Sequence, residues 1–300
     1  MGQVYWVASY PKSGNTWVRA FLTTLVLGDA EPNYLDKVGL VAPNDNGGLY
    51  FQRFLRVPIN LASLQELATA RPLAHRAMAA DSKGFVFLKT HSMVVRHFGT
   101  PTITPDITAG AIYIVRNPLD VVVSYSEFRR RTIDETIKLL NESRRVLPRP
   151  VFASYQVSGS WSENVDSWTR QENKDLMVLR YEDMLLDPKK AFQRLVRFIG
   201  IQVREDAISR AIERTSFGEL KAIELRNGFK ERPSSTETFF RAGSSGQWRE
   251  RLSRKQIAQV IRLNAAQMRR FGYWEPDFDR IDLDTEGRNR ATDGIGDDIG

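Results

Sequence analysis

The chain's apolar residues fall into two patterns. Residues 4–8, 85–89 and 111–115 are short, almost unbroken apolar runs (VYWVA, FVFLK, AIYIV), and 176–179 (LMVL) is a fourth. Runs of this length predict strands buried on both faces of a parallel sheet. Elsewhere apolar positions recur at helical spacing. Trp17, Ala20, Phe21, Leu25 and Val26 predict a helix over about 15–27, stopped by Gly28. Similar patterns predict helices within 61–80 and over 120–127, 205–214 and 253–271. Pro188 opens another, over 189–199, and Gly200 ends it. Residues 29–60 are rich in Pro, Asn, Asp and Gly and read as irregular connection. Residues 226–238 read as a surface loop. Alternating strands and helices predict an α/β fold, a central mostly parallel sheet flanked by helices. One domain over 1–283 and a loose tail over 284–300 are expected, since there is no internal repeat and no long linker.

Composition narrows the chemistry. The 300 residues carry no cysteine, which excludes disulfides, thiolate metal sites and cysteine nucleophiles. The three histidines, His75, His91 and His97, are too few for a multi-histidine metal site, and no metal is expected. The net charge is +7, with 32 arginines among the 43 basic residues. Such a balance suits an anionic partner, and arginine suits bidentate phosphate contacts. No lysine- or arginine-rich block marks a nucleic-acid binder; the densest run, Arg129 to Arg131, reads as a solvated face. No apolar run is long enough for a membrane span, and Lys12 and Arg19 interrupt any signal-peptide core. A soluble, cytoplasmic protein is the expectation.

The first strand runs into Tyr10-Pro11-Lys12-Ser13-Gly14-Asn15-Thr16-Trp17 and then a helix. Strand, glycine-containing turn and helix form an anion site, because free N–H groups and the helix dipole face the ligand. Lys12 adds a cation, Thr16 a hydroxyl and Trp17 a flat face. The nucleoside-triphosphate motif G-x-x-x-x-G-K-[ST] is absent, since the lysine precedes the glycine. Lys12, His91 and Arg116 each follow a predicted strand. If those strands are parallel, the three converge on the carboxyl edge of the sheet, where α/β proteins bind ligands.

Five segments together resemble the cytosolic-type sulfotransferases, which use 3′-phosphoadenosine 5′-phosphosulfate (PAPS). The segments are residues 10–17, Leu88-Lys-Thr-His-Ser92, residues 113–125, Arg180-Tyr-Glu-Asp-Met184 with Thr215-Ser-Phe217, and Arg241-Ala-Gly-Ser-Ser-Gly-Gln-Trp248. They keep the family's order across about residues 4–248. The resemblance implies a P-loop-like three-layer fold and transfer of the PAPS sulfuryl group to a small-molecule hydroxyl, or an amine, releasing 3′-phosphoadenosine 5′-phosphate (PAP). It implies His91 as general base, with Lys12 and Lys89 neutralising charge on the transferring group. It places Lys12, Ser13, Gly14, Asn15, Thr16 and Trp17 at the 5′-phosphosulfate. Arg116, Ser124, Arg241, Ala242 and Gly243 fall at the 3′-phosphate, and Tyr181, Ser216 and Phe217 at the adenine. Trp17, Tyr181 and Phe217 fit adenine contacts or core packing equally. His75 and His97 read as structural or surface. Glu182 and Asp183 read as structural, because carboxylates would repel a polyanionic donor.

Residues 29–60, 128–165 and 220–240 are expected to wall the acceptor pocket, with Tyr50, Phe51, Phe54, Phe152, Tyr155, Trp161 and Phe240 as candidate lining. Two departures from the family stand out. The dimer motif that many animal members carry after the final loop tryptophan is not matched at Arg249, Ser253, Arg254 and Ala258, which leaves the oligomeric state open. The phosphate loop is reached by residue 10, so an N-terminal extension that shapes acceptor pockets in some relatives is expected to be missing. The competing readings are a nucleotide kinase of related fold and a non-catalytic 3′-phosphoadenosine nucleotide-binding or regulatory protein.

Overall fold

The computed structural model describes residues 2–28, 31–82, 84–232 and 237–281. Its main sheet contains β1 (Gln3–Ser9), β2 (Phe85–Thr90), β5 (Thr108–Val115) and β6 (Leu176–Arg180), all parallel, in the order β2-β1-β5-β6. Two short strands, β3 (Arg96–His97) and β4 (Thr100–Pro101), pair antiparallel outside it. Helices α1 (Asn15–Leu27), α2 (Val38–Val41), α3 (Gly48–Gln52) and α4 (Leu64–Ala80) lie between β1 and β2. Helices α5 (Pro118–Arg129), α6 (Ile133–Leu140) and α7 (Trp161–Thr169) lie between β5 and β6. After β6 come α8 (Tyr181–Leu186), α9 (Pro188–Ile199), α10 (Glu205–Arg214), α11 (Phe217–Asn227), α12 (Trp248–Arg251) and α13 (Arg254–Arg270).

The strand period of two explains the layering. Trp6, Ala8, Tyr113 and Val115 face one side and pack on Leu119 and Val122 of α5, Trp161 and Val165 of α7, and Ile261 of α13. Val7, Ile112, Ile114 and Leu179 face the other side and pack on Phe21 of α1, Phe192 and Leu195 of α9, and Ile208 of α10. Helices therefore cover both faces of a parallel sheet, the architecture that unbroken apolar strands require.

The expected strands and helices are present, with shifted ends. Strand β5 starts at Thr108 rather than 111, because Gly110 breaks the apolar run. A Cβ at Gly110 would lie 2.9 Å from the Tyr5 ring, so the small residue makes room for a neighbour within the strand. Segment 29–60 is less irregular than its composition suggests, since it contains a 3₁₀ turn at Tyr34–Lys37 as well as α2 and α3. Helices α6 and α7 were not expected, although each has a sequence signature. Thr132 with Glu135, and Ser160 with Glu163, form reciprocal capping boxes. The expected loop at 226–238 starts later, since α11 runs to Asn227. The tail expected over 284–300 lies outside the described residues.

Asn164 of α7 ties this packing to the sheet edge. It is fully buried, donates to the carbonyls of His91 (3.0 Å) and Ser158 (2.8 Å), and accepts from the Tyr113 hydroxyl (2.8 Å). Asn164→Ala strands these three groups without partners. It is expected to cost about 2–3 kcal/mol, read as a lowered urea midpoint at unchanged m-value.

Candidate active site

A cavity of about 380 Å³ lies where the four parallel strands end. Each strand delivers a residue to it: Lys12 follows β1, Lys89 and His91 end and follow β2, Arg116 follows β5, and Tyr181 follows β6. Adjacent strands β1 and β5 are followed by helices on opposite faces, α1 on one and α5 on the other, so their loops diverge and open a crevice at the strand ends.

The β1–α1 turn is built as a concave backbone. Lys12 has φ 67° and Gly14, the residue before α1, has φ 104°. Both fall in the left-handed region, which aims successive N–H groups inward. Gly14 is also required for space, since a Cβ there would lie 2.7 Å from the Tyr181 ring. Asn15 braces the turn from below, donating to the Val7 carbonyl at 2.9 Å. The N–H groups of Asn15 and Thr16 open α1 and have no carbonyl one turn back to bond, as at any helix start. Three buried side-chain atoms here, Ser13 Oγ, Trp17 Nε1 and Arg116 Nε, have no hydrogen-bond partner among the described residues. A ligand with several acceptor oxygens fits such a donor-rich cradle.

The charges are unusual. Lys12 is half-buried with its Nζ over the rings of Phe128 (4.1 Å) and Phe239 (4.4 Å), and has no salt bridge among the described residues. Burial, then Arg116 and Arg241, push its pKa down to about 7. Lys89 is pushed down to about 8 by burial and then by Arg19. His91 is held well below the ordinary histidine value, first by burial and then by Lys89. Its Nδ1 lies 2.8 Å from the Ser9 carbonyl oxygen. A carbonyl can only accept, so Nδ1 carries the proton of the neutral ring and Nε2 keeps a free lone pair.

Arg116 is buried and holds two loops together. It donates from Nη1 to the Lys12 carbonyl (3.0 Å) and from Nη2 to the Ser244 carbonyl (3.1 Å), with its guanidinium 4.3 Å from the centre of the Tyr181 ring. Ser124 lines the same cavity, and its hydroxyl makes no hydrogen bond among the described residues. Gly243 has φ 60° and sits on Phe217, so close that a Cβ would be 2.2 Å from the ring. Thus Lys12, Gly14, Asn15, Thr16, Trp17, Lys89, His91, Arg116, Ser124, Tyr181, Phe217, Arg241, Ala242 and Gly243 meet around one cavity. Ser13 is buried beneath the turn, and Ser216 is an exposed residue at the start of α11; neither lines it.

Several participants were not anticipated. Arg241 is paired with Glu127, which also binds Arg251 at 3.1 Å. Asp120 accepts from the N–H groups of Gly246 (2.7 Å) and Trp248 (3.2 Å), fastening the 241–248 loop to α5. Arg19, buried, is paired in bidentate fashion with Glu231 at 2.7 and 3.0 Å, and both line the cavity. Of the seven aromatics expected to wall an acceptor pocket, Phe240 alone lines this cavity. Trp161 and Phe51 are core residues, and Phe152 is exposed. Phe128, Phe239, Tyr125 and Leu147 line it instead. His75 and His97 lie outside it; His75 is hydrogen-bonded to Thr104 and the Asp45 carbonyl, and His97 to the Tyr155 hydroxyl. Glu182 also points elsewhere, holding the Asn117 N–H and the Tyr273 hydroxyl. Among the described residues no cluster of three or more His, Asp or Glu could hold a metal ion, and no helix is long and apolar enough to cross a membrane.

Crevice, concave loop and cation cluster mark an α/β protein that handles a multiply anionic ligand. Comparison with known proteins gives its family. The sulfotransferase domain family matches residues 3–272. The chain is 29% identical to sulfotransferase 1A1 of Bos taurus over 259 residues, covering 81% of this chain and 76% of that one. It is 28% identical to the Canis lupus familiaris protein of the same name, covering 86% and 80%. Among solved structures it resembles retinol dehydratase in complex with androsterone and the inactive cofactor PAP, with TM-score 0.61, 20% identity, and 89% and 80% of the two chains covered. It also resembles mouse sulfotransferase SULT7A1 complexed with PAP, with TM-score 0.58, 21% identity, and 96% and 89% covered. The chain belongs to the sulfotransferase family, in its cytosolic-type, PAPS-dependent branch.

The depressed lysines make anion binding proton-linked. Free Lys12 is about half charged near pH 7, and an anion placed on it raises its pKa, so binding takes up a proton. PAP affinity is therefore expected to fall as pH rises from 7 to 9. Calorimetry in buffers of different ionisation enthalpy should show proton uptake in the wild type and less of it in Lys12→Met.

Proposed function

We propose that this chain transfers the sulfuryl group of PAPS to a hydroxyl of a small molecule, with His91 as general base. The supporting observation is the juxtaposition of a neutral His91, its Nε2 free, with two half-buried lysines that lack salt bridges among the described residues. PAPS, when bound, supplies an electrophilic sulfuryl group and a phosphate leaving group. The loop N–H groups, that of Ser13 included, and Lys12 would hold the phosphosulfate, as the concave backbone and the lysine's lack of a salt bridge suggest. Arg116, Ser124 and the 241–243 segment would take the 3′-phosphate, while Trp17, Tyr181 and Phe217 flank the adenine. PAP, present in both structural neighbours, fits this reading.

His91 Nε2 takes the acceptor proton as the acceptor oxygen bonds to sulfur and the bond from sulfur to the bridging oxygen breaks. Lys12 and Lys89 neutralise the charge that develops on that oxygen and on the sulfuryl group. The cations that depress His91 are the same ones that donor anions would neutralise. His91 therefore gains basicity when the donor is in place, which favours transfer over idle protonation. Phe128, Phe239, Phe240, Tyr125 and Leu147 offer an apolar wall to the acceptor's body, which suits a phenol or lipophilic alcohol.

Two substitutions test the assignment. His91→Ala should abolish turnover and leave PAP affinity nearly unchanged, because the base acts on the acceptor; normal turnover would remove His91 from the mechanism. Arg116→Ala should weaken PAP by about 1.5–3 kcal/mol in calorimetry and AMP by clearly less, the smaller loss reflecting the Lys12 turn that Arg116 braces. Equal losses for both nucleotides would sink the 3′-phosphate assignment, and a preference for magnesium-ATP would favour a kinase.

A further inference from the structure

We propose that Asp45 is a positioning residue for the transfer step: its buried carboxylate, acting through Thr90, fixes the Lys89–His91 turn. The proposal rests on the roles given above to Lys89 and His91.

The strand period puts the side chains of Lys89 and His91 on one face and that of Thr90 on the other. Lys89 and His91 line the cavity, and Thr90 is fully buried behind them. Thr90 Oγ1 donates to Asp45 Oδ2 at 2.8 Å and accepts from the Ser92 N–H at 2.9 Å, so one hydroxyl fixes the backbone on both sides of His91. The grip continues along the main chain. Strand β2 is the outer strand of the sheet on this side, so its far edge needs partners. Segment 43–45 supplies them: the Lys89 N–H donates to the Pro43 carbonyl at 2.8 Å, and the Asp45 N–H donates to the Lys89 carbonyl at 2.9 Å.

Asp45 is itself anchored from two further directions. Gln156 donates to Oδ1, and His75 Nε2 donates to the Asp45 carbonyl at 3.2 Å. The Asp45 side chain is fully buried and touches neither His91 nor the Nζ of Lys89 through a hydrogen bond. Its charge also acts on the Lys89 ammonium through space, and Thr90→Val, which keeps that charge, isolates the part carried by the turn. Small misplacements of a catalytic pair are costly in rate, of the order of a hundredfold per ångström.

Thr90→Val is the direct test, because it keeps the shape and removes both hydroxyl bonds. Its kcat should fall about tenfold or more, with PAP affinity within about threefold of wild type. Thr90→Ser should restore most of the loss, and Asp45→Asn, which keeps an oxygen for Thr90, should lose less than Asp45→Ala. Rates are referred to active sites counted by PAP titration, so a partly unfolded variant does not imitate the effect. Wild-type kcat in Thr90→Val overturns the proposal. So does a matching loss of PAP affinity, or a serine variant no better than valine. Failure of the wild type itself to transfer sulfuryl overturns the underlying roles of Lys89 and His91 instead.

Discussion

The structure depends on crowding buried and half-buried cations at one sheet edge with fewer counter-charges than they need. Isolated buried charge is costly, and proteins normally pair it or neutralise it. Here the pairing is selective. Arg19 has Glu231 and Arg241 has Glu127, whereas Lys12 and Lys89 have no salt bridge among the described residues, and Lys12 is held only between two aromatic rings. Lysines left in this way drift toward neutrality. A polyanionic donor would remove that penalty on binding, so affinity, protonation and the basicity of His91 become one coupled quantity.

Holding this arrangement takes a rigid backbone at the ends of the strands. Arg116 joins the Lys12 turn to Ser244, and Asp120 joins α5 to the Gly246–Trp248 stretch. The two proposed anion sites thereby share one framework. Gly14 and Gly243 each let a backbone approach an aromatic ring more closely than any side chain would allow, which seats Tyr181 and Phe217 against the loops.

Much of this was legible in the sequence. The strand ends are sharp because apolar runs stop at polar turn residues, and the residues just after them, Lys12, His91 and Arg116, meet as the parallel arrangement requires. What was hidden is long-range pairing. Nothing local in Glu127, Glu231 or Asp120 announces a partner more than a hundred residues away, as each has here. Aromatic content in a loop says little about which way a ring points, so Trp161 and Phe51 went to the core while Phe128 and Phe239 face the cavity. Helices α6 and α7 were a different matter, since their S/T-x-x-E caps are readable without any structure.

The central claim is chemical, that a hydroxyl attacks sulfur at this edge. Its most direct measurement follows radiolabelled sulfuryl from PAPS into a panel of phenols and lipophilic alcohols, with PAP quantified in the same reaction. The account predicts labelled sulfate ester and PAP in equal amounts for at least one acceptor. Tight PAP binding with no labelled product across the panel, or PAP released with inorganic sulfate alone, would contradict it.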